Sequence, residues 1–149
     1  MAVRLRTADS GDELTLRYRS ERGLFLRTYY LVIESDLTSE GPAEPGELVL
    51  RRRRLRWKRP KPRDGDRWSE GFASADVRGA LKGLQIQRLT LGWRPAEARW
   101  RLALETLSGG VTVTFFPPLA TPNPFKRDEA RAVEALLRAL RRAPARTPV

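Results

Sequence analysis

Residues 13–34 read ELTLRYRSERGLFLRTYYLVIE, and this stretch decides the fold class. Leu14, Leu16 and Tyr18 alternate with Glu13, Thr15, Arg17 and Arg19, the period of a strand with one wet face. Ser20-Glu21-Arg22-Gly23 reads as a turn, and 24–34 is an aromatic and β-branched run that suits a central strand, so the two pair as a hairpin. A short strand over 3–6 precedes them across the turn Asp9-Ser10-Gly11-Asp12.

Strands return downstream. Over 86–93, Leu89, Leu91 and Trp93 share a face, and after Arg94-Pro95-Ala96-Glu97, Trp100, Leu102 and Leu104 alternate with Arg99, Arg101 and Glu105. Leu107-Ser108-Gly109-Gly110 reads as a hairpin turn into Val111, Val113 and Phe115. Ser74 is placed to cap a short helix carrying Val77, Ala80, Leu81 and Leu84. A Pro-rich connector over 117–124 ends at Asn123-Pro124, which starts a helix running to about Arg142. Its stripe of Ala130, Val133, Leu136, Leu137 and Leu140 packs on the sheet, with a homodimer interface as the alternative use.

The expected order is ββββα-βββα: an α+β fold with a curved antiparallel sheet or sheets of about seven strands and a C-terminal amphipathic helix packed on the sheet. One domain over 1–142 and a disordered tail over 143–149 are expected. The outline is similar to that of the plant Whirly single-strand-binding proteins and of the seven-strand barrel of pleckstrin-homology domains, in outline alone.

The chain has 149 residues, 40% of them hydrophobic, which suffices for one core. Lys and Arg number 29 against 18 Asp and Glu, a net charge of +11 that attracts phosphate-rich partners. The cations are mostly Arg, with Lys only at Lys58, Lys61, Lys82 and Lys126, and Arg grips phosphate with a planar fork. GC-rich coding explains the Arg-to-Lys ratio equally well, but not the net charge.

There is no Cys, no His and a single Met. Disulfides, thiolate nucleophiles and zinc ribbons are excluded, as are an imidazole base and a Ser-His-Asp triad. The expectation is a binding protein, not an enzyme, with no cofactor and no metal. Few thermolabile residues and abundant charge match a heat-adapted composition. No apolar run approaches the ~18 residues of a membrane span, and MAVRLRTADSGDEL lacks the features of a signal peptide, so a cytoplasmic protein without a transmembrane segment is expected.

The unusual segment follows the acidic, Gly- and Pro-punctuated stretch 35–46, read as an exposed loop. Residues 47–57 read as one strand, and 58–68, with Pro60, Pro62 and Gly65, as a loop. Arg51, Arg52, Arg53, Arg54, Arg56, Lys58, Arg59, Lys61 and Arg63 follow one another with no acidic residue between. On an extended strand Arg52, Arg54 and Arg56 would face one side and Arg51 and Arg53 the other, which places the strand at a sheet edge or in a projecting ribbon. A phosphate backbone would relieve their mutual repulsion and release counterions. The competing reading is a solvated edge that blocks aggregation, or one neutralised by Asp36, Glu40, Glu44 and Glu47.

Trp57 and Trp68 flank the basic loop as candidate stacking platforms, with a core role the alternative for Trp57. Trp93 and Trp100 lie on apolar faces and read as core. Arg17, Arg19 and Arg27 of the N-terminal hairpin are expected to extend the surface. Nucleic-acid binding follows, single-stranded DNA or RNA with weak sequence specificity, since no helix-turn-helix is present and phosphate contacts position without specifying. The alternatives are a module for an acidic protein partner in a larger assembly and a peripheral domain for anionic lipid. Asp64-Gly65-Asp66 with Glu70 lacks the ligand spacing of an EF-hand and reads as a turn. Glu34, Asp36 and Glu105 lack the surrounding pattern of a metal nuclease, and no Gly-rich phosphate loop joins a strand to a helix.

Overall fold

A computed structural model describes residues 2–6, 13–38 and 40–142. The predicted turn at Asp9 to Asp12 and the predicted tail over 143–149 lie outside the described residues. Strands β1 (Ala2–Arg6), β2 (Glu13–Arg22), β3 (Leu26–Thr38), β4 (Gly46–Arg51) and β5 (Arg54–Trp57) precede helices α1 (Gly65–Gly71) and α2 (Ala75–Lys82). Then come β6 (Ile86–Arg94), a short 3-10 turn, β7 (Arg99–Phe115), β8 (Pro118–Pro122) and helix α3 (Arg127–Arg142).

The fold is α+β, with one eight-stranded antiparallel sheet in the order β1-β2-β3-β7-β6-β4-β5 and β8 paired to β7. The path has two ends, so the sheet does not close into a barrel, and it is not strongly curled. The expected hairpin of residues 13–34 forms as β2 and β3, with Leu16 opposite Ile33 and Tyr18 opposite Leu31. Both strands run further than their punctuation suggested. The residues predicted as a turn, Ser20 to Arg22, remain in β2, and β3 continues to Thr38, burying Ser35 and Leu37 that were expected in an exposed loop.

Alternation fixes which side of the sheet is covered. Leu31, Ile33, Leu37, Leu48, Leu55, Leu89, Leu91, Trp93, Trp100, Leu102 and Leu104 cluster with Trp68 of α1, Phe72 just past its end, Val77 and Ala80 of α2, and the α3 stripe. Val133, Leu136, Leu137 and Leu140 are buried as their spacing predicted, each burial stabilising by about 1.5–3 kcal/mol. Helix α2 begins where Ser74 suggested, its side chain accepting from the Val77 N–H at 3.3 Å. Helix α3 starts at Arg127, three residues beyond Pro124, because Glu129 accepts from the Lys126 N–H at 2.9 Å and so caps the first turn.

Three local readings are overturned. Residues 47–57 are not one strand: β4 and β5 are a hairpin, with Leu50 opposite Leu55 and Arg51 opposite Arg54. The loop predicted over 58–68 is interrupted by α1, which carries Trp68 into the core. The hairpin predicted at 107–110 is a bulge within β7, because β3 pairs with both halves of it, Leu31 with Thr106 and Tyr29 with Val111. A Cβ on Gly110 would lie 2.1 Å from the Tyr29 carbonyl oxygen, and Gly109 has φ +79°, so both glycines serve the close approach of β3. The true hairpin comes later, Phe115 opposite Pro118, and β8 forms from the segment read as a connector. Prolines are tolerated there because β8 is an edge strand, paired among the described strands with β7 alone.

Candidate functional site

The β4–β5 hairpin forms one end of the sheet, the edge position expected of the arginine run, but not because its strands carry charge on both faces. Its connection is two residues, Arg52 and Arg53, both left-handed with φ of 51° and 66°. Positive φ at both central residues is the type I′ pattern, which suits Asn and Gly and strains a residue with a Cβ. The pairing turns Leu48, Leu50, Leu55 and Trp57 inward and sets Arg51, Arg54 and Arg56 together on the outer face, with Arg52 and Arg53 at the tip. The expected division of Arg52, Arg54 and Arg56 from Arg51 and Arg53 is thereby corrected.

Strand β4 pairs with β6 only from Gly46 to Val49, opposite Trp93 to Thr90. Beyond that point the hairpin parts from β6 and leaves a cleft of about 460 Å³ over the end of α2. Its floor is Leu50, Leu81, Leu84 and Ile86, all half-buried, and its rim carries Arg52, Arg53, Arg78, Lys82 and Arg88 with Gln87. Among the described residues, no acidic side chain lines it. A shallower cleft of about 250 Å³ adjoins it, sharing Arg53, Arg78 and Leu81. Arg78, Lys82 and Arg88 were not singled out from the sequence. The helical spacing of Arg78 and Lys82 on either side of Leu81 was visible there, but not which strand they meet.

The acidic loop does not neutralise this tip. Asp36 meets Arg99 at 3.6 Å and Arg101 at 3.4 Å, and Glu44 meets Arg63 at 3.6 Å. Lys61 is held by Asp66 at 3.0 Å, on the first turn of α1, where the sequence suggested a simple turn. Arg51, Arg52, Arg53, Arg54, Arg56, Lys58 and Arg59 form no ion pair among the described residues.

The N-terminal arginines do not join them. Strand β2 lies four strand spacings from β4, about 19 Å. Arg17 is paired with Glu34 at 2.9 Å, and Arg19 with Glu105 and Glu21 while its guanidinium lies 4.9 Å from the Tyr30 ring centre. The Glu105 hydrogen bond raises the Arg19 pKa above its ordinary value, outweighing desolvation. Arg27 is half-buried in β3, opposite Val113 of β7 and remote from the tip.

The two candidate stacking platforms belong to an aromatic cluster around Trp100. Trp57 and Trp68 have ring centres 6.0 and 6.3 Å from it. Trp57 donates its indole N–H to the Gly65 carbonyl at 2.7 Å, and Trp68 is only 4% exposed. Trp68 therefore offers no face for stacking, and the expectation of an exposed platform is corrected: the apolar surface beside the arginines is the aliphatic floor of the cleft.

A separate apolar surface lies where the β2–β3 and β7–β8 turns meet, joined by the Phe115 N–H to the Phe25 carbonyl at 3.0 Å. Leu24 and Phe116 are 86% and 87% exposed, with Phe25 and Leu119 also exposed and Arg22 beside them. Among the described residues no helix is long and apolar enough to cross a membrane. None of their Asp and Glu side chains gather in threes as a metal cluster would.

A family model described as a protein of unknown function, DUF3156, matches residues 1–143. No curated protein and no solved structure matches the chain.

Proposed function

We propose that this chain, which belongs to the DUF3156 family, is a binding module for the phosphate backbone of nucleic acid, single strands ahead of duplexes, acting through the β4–β5 hairpin. The observation that carries the reading is the crowding of unpaired cations on this hairpin and its exit. Other described cations such as Arg22 and Arg88 also lack a carboxylate, but from Arg51 to Arg59 seven of them fall within nine positions with no ion pair among the described residues. Their repulsion is relieved by an external polyanion. A flexible strand can bring successive phosphates around both sides of a hairpin tip. A duplex, stiff over about 50 nm, cannot.

If all seven cations engage phosphates, the logarithm of affinity falls with the logarithm of salt at a slope of at most about −5, taking roughly −0.7 per phosphate for a single strand. The test is titration of labelled single- and double-stranded oligonucleotides at two salt concentrations, with wild type and with Arg51, Arg52, Arg53 and Arg54 changed to Ala. The expected result is binding of the single strand at low salt, weakened more than about tenfold in the variant. Absence of binding at low salt, or equal binding by the variant, overturns the proposal.

A second reading, peripheral attachment to anionic lipid, is favoured by the exposed Leu24, Phe25, Phe116 and Leu119 beside Arg22, an apolar tip with a cationic flank. Sedimentation with vesicles of anionic and of neutral lipid tests it: retention by anionic vesicles that is lost in Phe116→Asp supports it, and no retention removes it.

A further inference from the structure

We infer that the cleft between the β4–β5 tip and the end of α2 seats one unpaired nucleotide of the bound strand, its base on the aliphatic floor and its phosphate on the cationic rim. This inference rests on the nucleic-acid reading and adds the site that distinguishes a strand from any other polyanion.

The cleft has two chemical halves. Leu50, Leu81, Leu84 and Ile86 leave part of their apolar surface uncovered, although their neighbours Leu48, Leu55, Val77 and Leu89 are buried. A planar base would complete that burial. Above them Arg52, Arg53, Arg78, Lys82 and Arg88 converge from a turn, a helix and a strand, with no carboxylate among the described lining residues. Five cations around one opening favour an anion between them, and Gln87 supplies a neutral donor and acceptor for a base edge. At about 460 Å³ the cleft falls within the roughly 300–1,000 Å³ of ligand pockets.

The backbone supports the same site. Arg52 and Arg53 hold left-handed conformations that Asn-Gly would adopt without strain, and strain of this kind persists where the side chains it positions have a role. The hairpin's departure from β6 after Val49, with the register shift between Ile86 and Arg88, opens the space. A base reaches the floor only when it is unpaired and unstacked, which gives the preference for single strands a physical cause.

The test compares a short oligothymidylate with an abasic strand carrying the same number of phosphates, using the full chain, wild type and Gln87→Glu. Gln87 is exposed on the cleft wall, so the substitution places a carboxylate beside the base without disturbing the core. Arg54→Ala on the outer hairpin face serves as the control. Wild type should bind the oligothymidylate about tenfold more tightly than the abasic strand. Gln87→Glu should erase that ratio, and Arg54→Ala should weaken both strands while keeping it. Equal binding of the two strands by wild type overturns the cleft and leaves the backbone reading standing. Binding of neither strand at low salt removes both. A ratio that survives in Gln87→Glu also overturns the cleft.

Discussion

Replacing Arg52-Arg53 with Asn-Gly should make the protein more stable and a weaker binder at once. Both arginines sit at positive φ, 51° and 66°, where a Cβ crowds the backbone at a cost of roughly 1–2 kcal/mol per residue. Asn tolerates that conformation and Gly adopts it freely, but Gly adds about 1 kcal/mol of unfolded-state entropy to be overcome. The net expectation is about 1–3 kcal/mol of added stability, each kcal/mol raising Tm by about 2–4 °C in a chain of 149 residues. Removing two cations from the tip should also reduce the salt slope for a single strand by about 1.4. Thermal denaturation by circular dichroism and oligonucleotide titration across salt measure the two effects on one sample. A variant less stable than wild type would refute the turn geometry. An unchanged salt slope would refute contact between the tip and phosphate, whatever happened to Tm.

Gly110→Ala should destabilise by about 2–3 kcal/mol or more in urea denaturation, because the new Cβ would meet two backbone oxygens, of Tyr29 at 2.1 Å and of Leu107 at 2.9 Å, that cannot swing away. Arg19→Ala should cost about 1–2 kcal/mol at neutral pH, since it strips the nearly buried Glu105 carboxylate of its guanidinium, with the exposed side of Arg19 limiting the loss. The native pair adds no pH dependence near neutrality from Arg19. Its raised pKa means that its contribution is fully present below the ordinary arginine value and fades only as pH rises through the higher folded one, which urea midpoints across the neutral range would verify. Trp68→Phe should cost about 1 kcal/mol less than Trp93→Phe. The Trp93 indole donates to the Pro42 carbonyl at 2.7 Å, while the Trp68 N–H has no partner among the described residues, and paired denaturation curves read the difference.

Much of the candidate site was legible in the chain. The run from Arg51 to Arg63 stood out by charge, and its edge position was expected, although from a charge on both faces of one strand that the turn at Arg52-Arg53 replaces with a single charged face. The cleft was not legible. Its cations come from a turn, a helix and a strand separated by up to 36 positions, Arg52 to Arg88, and meet only because the hairpin leaves β6 above α2. The tryptophans misled for a related reason: a Trp beside Arg and Pro looks exposed until a short helix such as α1 turns it inward.

Local periodicity was enough to establish the α+β class, the β2–β3 hairpin, the Ser74 cap and the buried stripe of α3, because alternation and helical spacing are set by bonded neighbours. It also recorded two switches of parity without saying what they meant. Apolar positions pass from Leu48 and Leu50 to Leu55 and Trp57, and from Leu102 and Leu104 to Val111 and Val113, each time changing from even to odd. A two-residue turn and a bulge both produce such a switch. The tertiary structure chose the turn at Arg52-Arg53, where no longer partner spans the break, and the bulge at Gly109-Gly110, where β3 runs past and bonds both halves of β7. That choice depends on the length of a strand more than seventy positions away in sequence, and hydrogen bonding to it, not the turn propensity of glycine or arginine, decides which way the chain continues.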